Sequence, residues 1–110
     1  MEIHVIEHDK TIIVYVTGKL DVRNSPELEE AIFSNIKDVR KSLILDFDGL
    51  IYISSAGLRV VLLAAKQLKA NKQNMLISGL QGAVKDVFEL SGLYSIFKIF
   101  ETCDDAISSL

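Results

Sequence analysis

At 110 residues, 49% hydrophobic and 25% charged, the chain has the size and balance of one globular domain spanning residues 1–110. A formal net charge of -3, with its Lys and Arg residues scattered, gives no basic footprint for phosphate-backbone binding and excludes nucleic acid as the expected partner. The absence of a run near the ~20 apolar residues of a membrane helix, the lack of a signal-peptide layout in Met1-Glu2-Ile3-His4 and the lone Cys103 read as a cytoplasmic protein without membrane contact or internal disulfide.

Residues 2–7 and 11–16 are rich in β-branched side chains with partial alternation, separated by the polar turn His8-Asp9-Lys10, and predict an antiparallel hairpin. After Gly18-Lys19-Leu20-Asp21 comes Asn24-Ser25-Pro26-Glu27. A capping side chain, a proline at the first helical position and an acid in the first turn mark a helix start. Leu28, Ala31, Ile32 and Ile36 then follow helical spacing. Residues 42–47 form an apolar run with no polar face until its end, as in a central strand covered on both sides. Residues 48–53 lead to Ser54-Ser55-Ala56-Gly57, and a strong helical pattern runs from about Gly57 to Asn71 and Lys72.

Residues 74–79 predict another short strand. Ala83, Val84, Val87, Phe88 and Leu90 predict a helix that stops at Gly92. Residues 97–100 read as an edge strand, and residues 104–110 as a terminal helix begun by Asp104-Asp105. The order β-β-α-β-α-β-α-β-α predicts an α/β fold, in which a mixed sheet opens with an antiparallel hairpin and carries helices packed against it.

Along the long helix, Leu58, Val61, Leu62, Ala65 and Leu68 make an apolar stripe suited to the sheet, and Val60, Leu63, Ala64 and Gln67 trace an adjoining one. The second stripe is either a wide core face under a neighbouring helix or a docking face. A docking face of this kind suits a partner helix or a second copy of the chain in a weak homodimer.

The segment from Leu45 to Leu62, where a buried strand hands over to a long helix through Ser54-Ser55-Ala56-Gly57-Leu58, resembles the STAS domain, in particular the bacterial anti-sigma factor antagonists. Gly18-Lys19-Leu20-Asp21 is similar to that family's glycine-to-aspartate motif before the first helix, and the order of elements agrees along nearly the whole chain. The resemblance implies a partner-switching cycle. The unmodified antagonist captures an anti-sigma factor that is also its serine kinase, phosphorylation of the serine two residues before the turn glycine breaks the capture, and a serine phosphatase restores it. Carried onto this chain, the acceptor is Ser55. Ser54, where many members have Asp, is the alternative acceptor, and Ala56 stands where members often carry Ser or Thr. Asp21, Ser54, Ser55, Ala56, Gly57, Arg59, Val60 and Leu63 are the expected partner-binding residues. Asp21 and Asp46 are expected near the serine turn, where they tune its recognition, and Arg59 is expected to pair with the phosphate.

Taken without the family, Ser54 and Ser55 are helix caps, Asp21 and Asp46 are solvated loop and strand-end residues, and Arg59 is a surface side chain. The switch is chemically sound all the same. A phosphate adds roughly -1.5 to -2 charges at pH 7, which a helix N-terminus tolerates and a tightly packed partner does not.

An enzyme is not expected. The only histidines, His4 and His8, lie in or beside the first strand, there is no nucleophile elbow or metal triad, and Gly79-Leu80-Gln81-Gly82 lacks the features of a phosphate-cradling loop. No catalytic residue, metal or cofactor is assigned. A receiver-type domain would use Asp46 or Asp48 as phospho-acceptor but needs an acidic pair after a first parallel strand. A STAS-like module outside sigma control, binding another kinase or a small ligand, is the other alternative.

Overall fold

In the computed structural model, which describes residues 1–110, the opening hairpin forms as its alternation predicts. Strands β1 (Glu2–His8) and β2 (Thr11–Leu20) pair antiparallel from Glu2–Thr17 to His8–Thr11, with Asp9 at φ 54 in the turn. β2 runs beyond Val16 to Leu20 because Gly18, at φ 87, takes a backbone conformation that L side chains rarely adopt. The pairing register shifts between Gly18 and Lys19. The first part of β2 therefore lies parallel to β3 (Ser42–Asp46), and its end lies parallel to β4 (Leu50–Ile53).

β4 is an addition to the predicted order. All of its residues, Leu50-Ile51-Tyr52-Ile53, are apolar or aromatic, so the sequence shows no alternation there, although Leu50 and Ile53 are buried while Ile51 and Tyr52 are exposed. The end of β2 supplies the partner that makes it a strand.

The remaining elements are α1 (Ser25–Asn35), α2 (Ser55–Ala70), β5 (Met75–Ser78), α3 (Gly82–Leu90), a 3-10 turn at Leu93–Ser95, β6 (Lys98–Phe100) and α4 (Cys103–Ser108). The six-stranded sheet has the order β1-β2-β3-β5-β6, with β4 paired to β2 off that path. β3 is thus the middle strand, as its unbroken apolar run predicts, and Leu43, Ile44 and Leu45 are fully buried. β6 is the expected edge.

Pleating divides the core. Ile12, Val14, Val16, Leu43 and Leu45 join the main cluster with Leu28 and Ile32 of α1, Val61 and Leu68 of α2 and Phe88 of α3. Ile13, Ile44 and Leu76 point the other way and meet Ala106 of α4. Thr102 caps α4 by accepting the Asp105 N–H at 3.1 Å, so the acidic pair expected to open this helix sits inside its first turn. No helix is long and apolar enough to cross a membrane.

The stripes on α2 need one correction. Val60, expected on a partner-binding surface, is 2% exposed, and Ala64 is fully buried. α1 packs against α2, so Val60 and Ala64 belong to a wide core face, while Leu63 of the same stripe is half-buried and Gln67 exposed. Leu62, expected to face the sheet, is instead 40% exposed.

Candidate functional site

β4 brings the chain to the serine turn. Ile53 pairs with Leu20, and the next residue, Ser54, donates its backbone N–H to the Leu20 carbonyl at 2.8 Å. Ser54 has the extended backbone of an N-cap (φ -85, ψ 169), and its Oγ accepts the Gly57 N–H at 3.1 Å, satisfying one of the donors orphaned at a helix start. α2 therefore begins at Ser55, two residues before the sequence pattern places it. Ser55 is the first residue of the helix and is exposed.

Gly57 is needed for close approach. A Cβ there would lie 2.6 Å from Leu20 Cγ, 2.8 Å from Leu20 Cδ2 and 3.1 Å from Ile53 Cγ1. Leu20 is fully buried and has no room to give. The glycine lets the first turn of α2 rest directly on the ends of β2 and β4, which holds the serine pair on a rigid support.

Asp21 continues from Leu20 and builds the neighbouring loop. Its Oδ1 accepts the Arg23 N–H at 2.9 Å and the Asn24 N–H at 3.1 Å. Asn24 answers with Oδ1 accepting the Asp21 N–H at 2.8 Å and Nδ2 donating to the Lys19 carbonyl at 2.8 Å. Asn24 stands at the N-cap of α1, as its position predicts, yet its side chain bonds backwards into this loop and does not cap the helix. The loop keeps Val22 exposed beside the end of β2.

Of the predicted partner-binding residues, Ser55 and Arg59 are exposed and one helical turn apart, while Asp21, Ser54, Ala56 and Leu63 are half-buried. Gly57 and Val60 are buried. Sequence reasoning missed four exposed apolar side chains around the turn: Val22, Ile51, Tyr52 and Leu62. Val22, an apolar residue inside a polar loop, is the only one with a local signal. The others lie within apolar runs, where exposure depends on what packs above them.

Asp46 does not belong to this turn, contrary to expectation. It pairs with Tyr15, well back along β2 from the Leu20 that anchors Ser54, a separation of roughly 15 Å at the strand rise. Its Oδ2 accepts the Ser78 hydroxyl at 2.9 Å and its Oδ1 the Asp48 N–H at 3.1 Å. It borders a cleft of about 460 Å³ on the α4 side, lined also by Tyr15, Thr17, Asp48 and Cys103.

The Tyr15 hydroxyl lies 3.8 Å from Cys103 Sγ. Burial, reinforced by the Cys103 contact and by the Asp46 and Asp104 charges, pushes the Tyr15 phenol up to about 12. Burial also pushes the Cys103 thiol up. A thiol shifted in that direction is a poor nucleophile at neutral pH. No three His, Cys, Asp or Glu side chains are arranged to hold a metal ion.

The STAS domain family model matches residues 2–106. BtrV of Bordetella bronchiseptica, assigned to the anti-sigma factor antagonists, is 36% identical over 92% of this chain and 87% of its own length. Among solved structures, an anti-sigma factor antagonist from Mycobacterium paratuberculosis superposes with a TM-score of 0.90 at 26% identity, covering 98% of this chain and 92% of that one. SpoIIAA in its unphosphorylated form superposes with a TM-score of 0.84 at 22% identity, covering 98% and 95%. The phosphorylated form of the Bacillus protein gives 0.78 at 21%, covering 98% of both chains. At those identities the likeness to SpoIIAA is one of fold.

Proposed function

The chain belongs to the STAS domain family, and from that membership we propose that it is an anti-sigma factor antagonist switched by phosphorylation of Ser55. In its unmodified form it binds an anti-sigma factor that carries serine kinase activity, with the start of α2 at the centre of the contact. Transfer of a phosphoryl group to the Ser55 hydroxyl ends that binding, and a serine phosphatase renews it.

The observation that carries this reading is the division of labour between the adjacent serines. Ser54 Oγ is engaged as the cap of α2, whereas Ser55 is exposed on the first turn. An acceptor needs a reachable hydroxyl on a support that survives modification, and Ser55 has both. The anti-sigma factor antagonist assignments of relatives that match this chain almost end to end support the pathway. The two recorded forms of SpoIIAA, phosphorylated and unphosphorylated, show that this fold accommodates the modification in that protein.

The physical mechanism is a local charge switch. Exposed Val22, Ile51, Tyr52 and Leu62 provide apolar contact around the turn, and Arg59 lies one turn beyond Ser55. A phosphate at Ser55 adds roughly -1.5 to -2 charges at pH 7. Within the free chain, the positive end of the α2 dipole and the Arg59 guanidinium stabilise that charge. Against a packed partner the same phosphate must be desolvated, which costs more than the contacts it displaces return.

The test combines phosphate transfer with binding. The chain and its Ser55→Ala and Ser54→Ala variants are incubated with the anti-sigma factor kinase and ATP, and the modified position is read by mass spectrometry. Ser55→Ala is expected to abolish incorporation and Ser54→Ala to retain it; the reverse result overturns the acceptor assignment. Ser55→Asp is expected to stay folded and to bind the anti-sigma factor at least tenfold more weakly, and unchanged affinity overturns the charge switch.

A further inference from the structure

The outer edge of β1 is unpaired. β1 is the first strand in the sheet order and pairs only with β2, so along its whole other side its backbone donors and acceptors meet no neighbouring strand. Edge strands of this kind are usually blunted by charged side chains, lysine above all, by proline, a bulge or shortness. β1 has no lysine, proline or bulge, and its two acids, Glu2 and Glu7, each have a partner in the same chain, His4 and Lys41. It runs for seven residues, Glu-Ile-His-Val-Ile-Glu-His, in unbroken register with β2. Val5 and Ile6 at its centre are 39% and 50% exposed. The opposite edge, β6, has three residues and begins with Lys98, which are the protections that β1 lacks.

We propose that two copies of this chain associate through β1, antiparallel about a two-fold axis at Val5, and so continue the sheet from one chain into the other. The pleat requires facing residues to point to the same side, so the axis passes through a residue. With the axis at Val5, Glu2 faces His8 of the second copy at both ends, Ile3 faces Glu7, and His4 faces Ile6. The Glu2 carboxylate, whose Oε2 lies 3.4 Å from His4 Nε2 of its own chain, then accepts a second hydrogen bond at Oε1 from an imidazole N–H. His8, whose Nε2 lies 3.7 Å from Asp9 Oδ2, supplies that donor in either protonation state. An axis at Ile6 instead sets His8 against His4, and one at His4 sets Glu2 against Ile6. An axis at Ile3 also sets Glu2 against a histidine, His4, but pairs only residues 2–4, so the Val5 register alone matches an acid to a donor at each end while pairing the whole strand.

The apolar residues fall into place in the same register. Val5 lies beside Val14 of β2 on the main-core side, so Val5 meeting its own copy lengthens that apolar row. Ile6 lies beside buried Ile13 on the α4 side. It reaches the second copy's Ile6 across the diagonal, a spacing of roughly 7–8 Å that long side chains span. Glu7 brings no unpaired charge against Ile3, because Lys41 Nζ bonds its Oε1 at 2.5 Å within the same chain. β1 contributes no residue to the serine turn, so a pair of chains carries two Ser55 sites.

Sedimentation equilibrium of the unmodified full chain over a concentration series tests the association, and a mass that rises from one chain toward two is expected. Val5→Cys is expected to yield a covalent dimer on mild oxidation, while Ile3→Cys alone yields none and Ile3→Cys mixed with Glu7→Cys restores it. Val5→Lys, which sets two ammonium groups face to face, is expected to weaken association at least tenfold. His8→Glu is expected to weaken it as well, and adding Glu2→Lys to restore it, which keeps the test decisive should Val5→Lys disturb the fold. A monomer at every concentration, or a dimer indifferent to Val5→Lys and His8→Glu, overturns the proposal.

Discussion

Ser54 Oγ accepts the backbone N–H of Gly57 across 3.1 Å, and this bond separates two adjacent, chemically identical serines into a structural cap and an exposed hydroxyl. Removing the cap by Ser54→Ala is expected to cost about 1 kcal/mol of stability. Ser55→Ala removes an exposed side chain and is expected to stay within about 0.5 kcal/mol of the parent. Urea denaturation of both variants checks this, and equal losses would contradict the division of roles.

Gly57→Ala is expected to destabilise the chain by about 1–3 kcal/mol through overpacking, despite the better helix propensity of alanine. The added methyl group would sit 2.6 Å from Leu20 Cγ, inside the fully buried seam between α2 and β2. Shortening Leu20 to Ala in the same chain should make the combined loss smaller than the sum of the two single losses. Additive losses in denaturant midpoints would show that the two residues are not in conflict.

Val60 and Leu62 lie on the same helix and should respond in opposite ways. Val60→Ala opens a cavity in the core and is expected to cost about 2 kcal/mol. Leu62→Ala is expected to leave stability within about 0.5 kcal/mol and to weaken anti-sigma factor binding at least fivefold. Thermal unfolding and calorimetric titration measure the two effects; a binding loss confined to Val60→Ala would return the docking face to the side of α2 that α1 covers.

In the fold the Tyr15 phenol is pushed up to about 12, chiefly by burial, against about 10 in an unfolded chain. The folded state therefore holds this proton more tightly. The stability it contributes is fully present below about pH 10 and is lost as pH rises toward 12. Ultraviolet titration should show one of the three tyrosines ionising late, and Tyr15→Phe should remove that late step. An unchanged alkaline titration in Tyr15→Phe would refute the assignment.

Ser78→Ala is expected to cost about 1–3 kcal/mol, because Asp46 Oδ2 then loses its hydroxyl donor inside a buried site. The anti-sigma factor affinity should not move, since Asp46 lies away from the serine turn. A binding loss without a stability loss would place Asp46 back in the recognition surface.

What the sequence determined by itself is what neighbouring residues settle among themselves. The β-branched runs on either side of His8-Asp9-Lys10 form the hairpin, the unbroken Leu43-Ile44-Leu45 run lies at the sheet centre, and Pro26 marks the start of α1. The small-residue turn before a long helix was legible too, and with it the STAS family and Ser55 as the position to test. In each case the pattern expresses local backbone geometry or a covering that reaches both faces.

Only the tertiary structure decided which surfaces are covered. β4 exists because the bend at Gly18 turns the end of β2 toward Leu50–Ile53. Val60 is buried in the core that α1 and α2 share, and Leu62 is exposed on the side of α2 that no element covers. Asp46 faces Ser78 and not the serine turn because strand pleating points it to the α4 side. Residues far apart in the chain create each of these environments, so the local pattern of apolar and polar side chains carries no trace of them. The serine turn combines both kinds of information. Its composition is local, but the support that exposes Ser55 while holding Ser54 comes from the packing of Gly57 on Leu20 and Ile53.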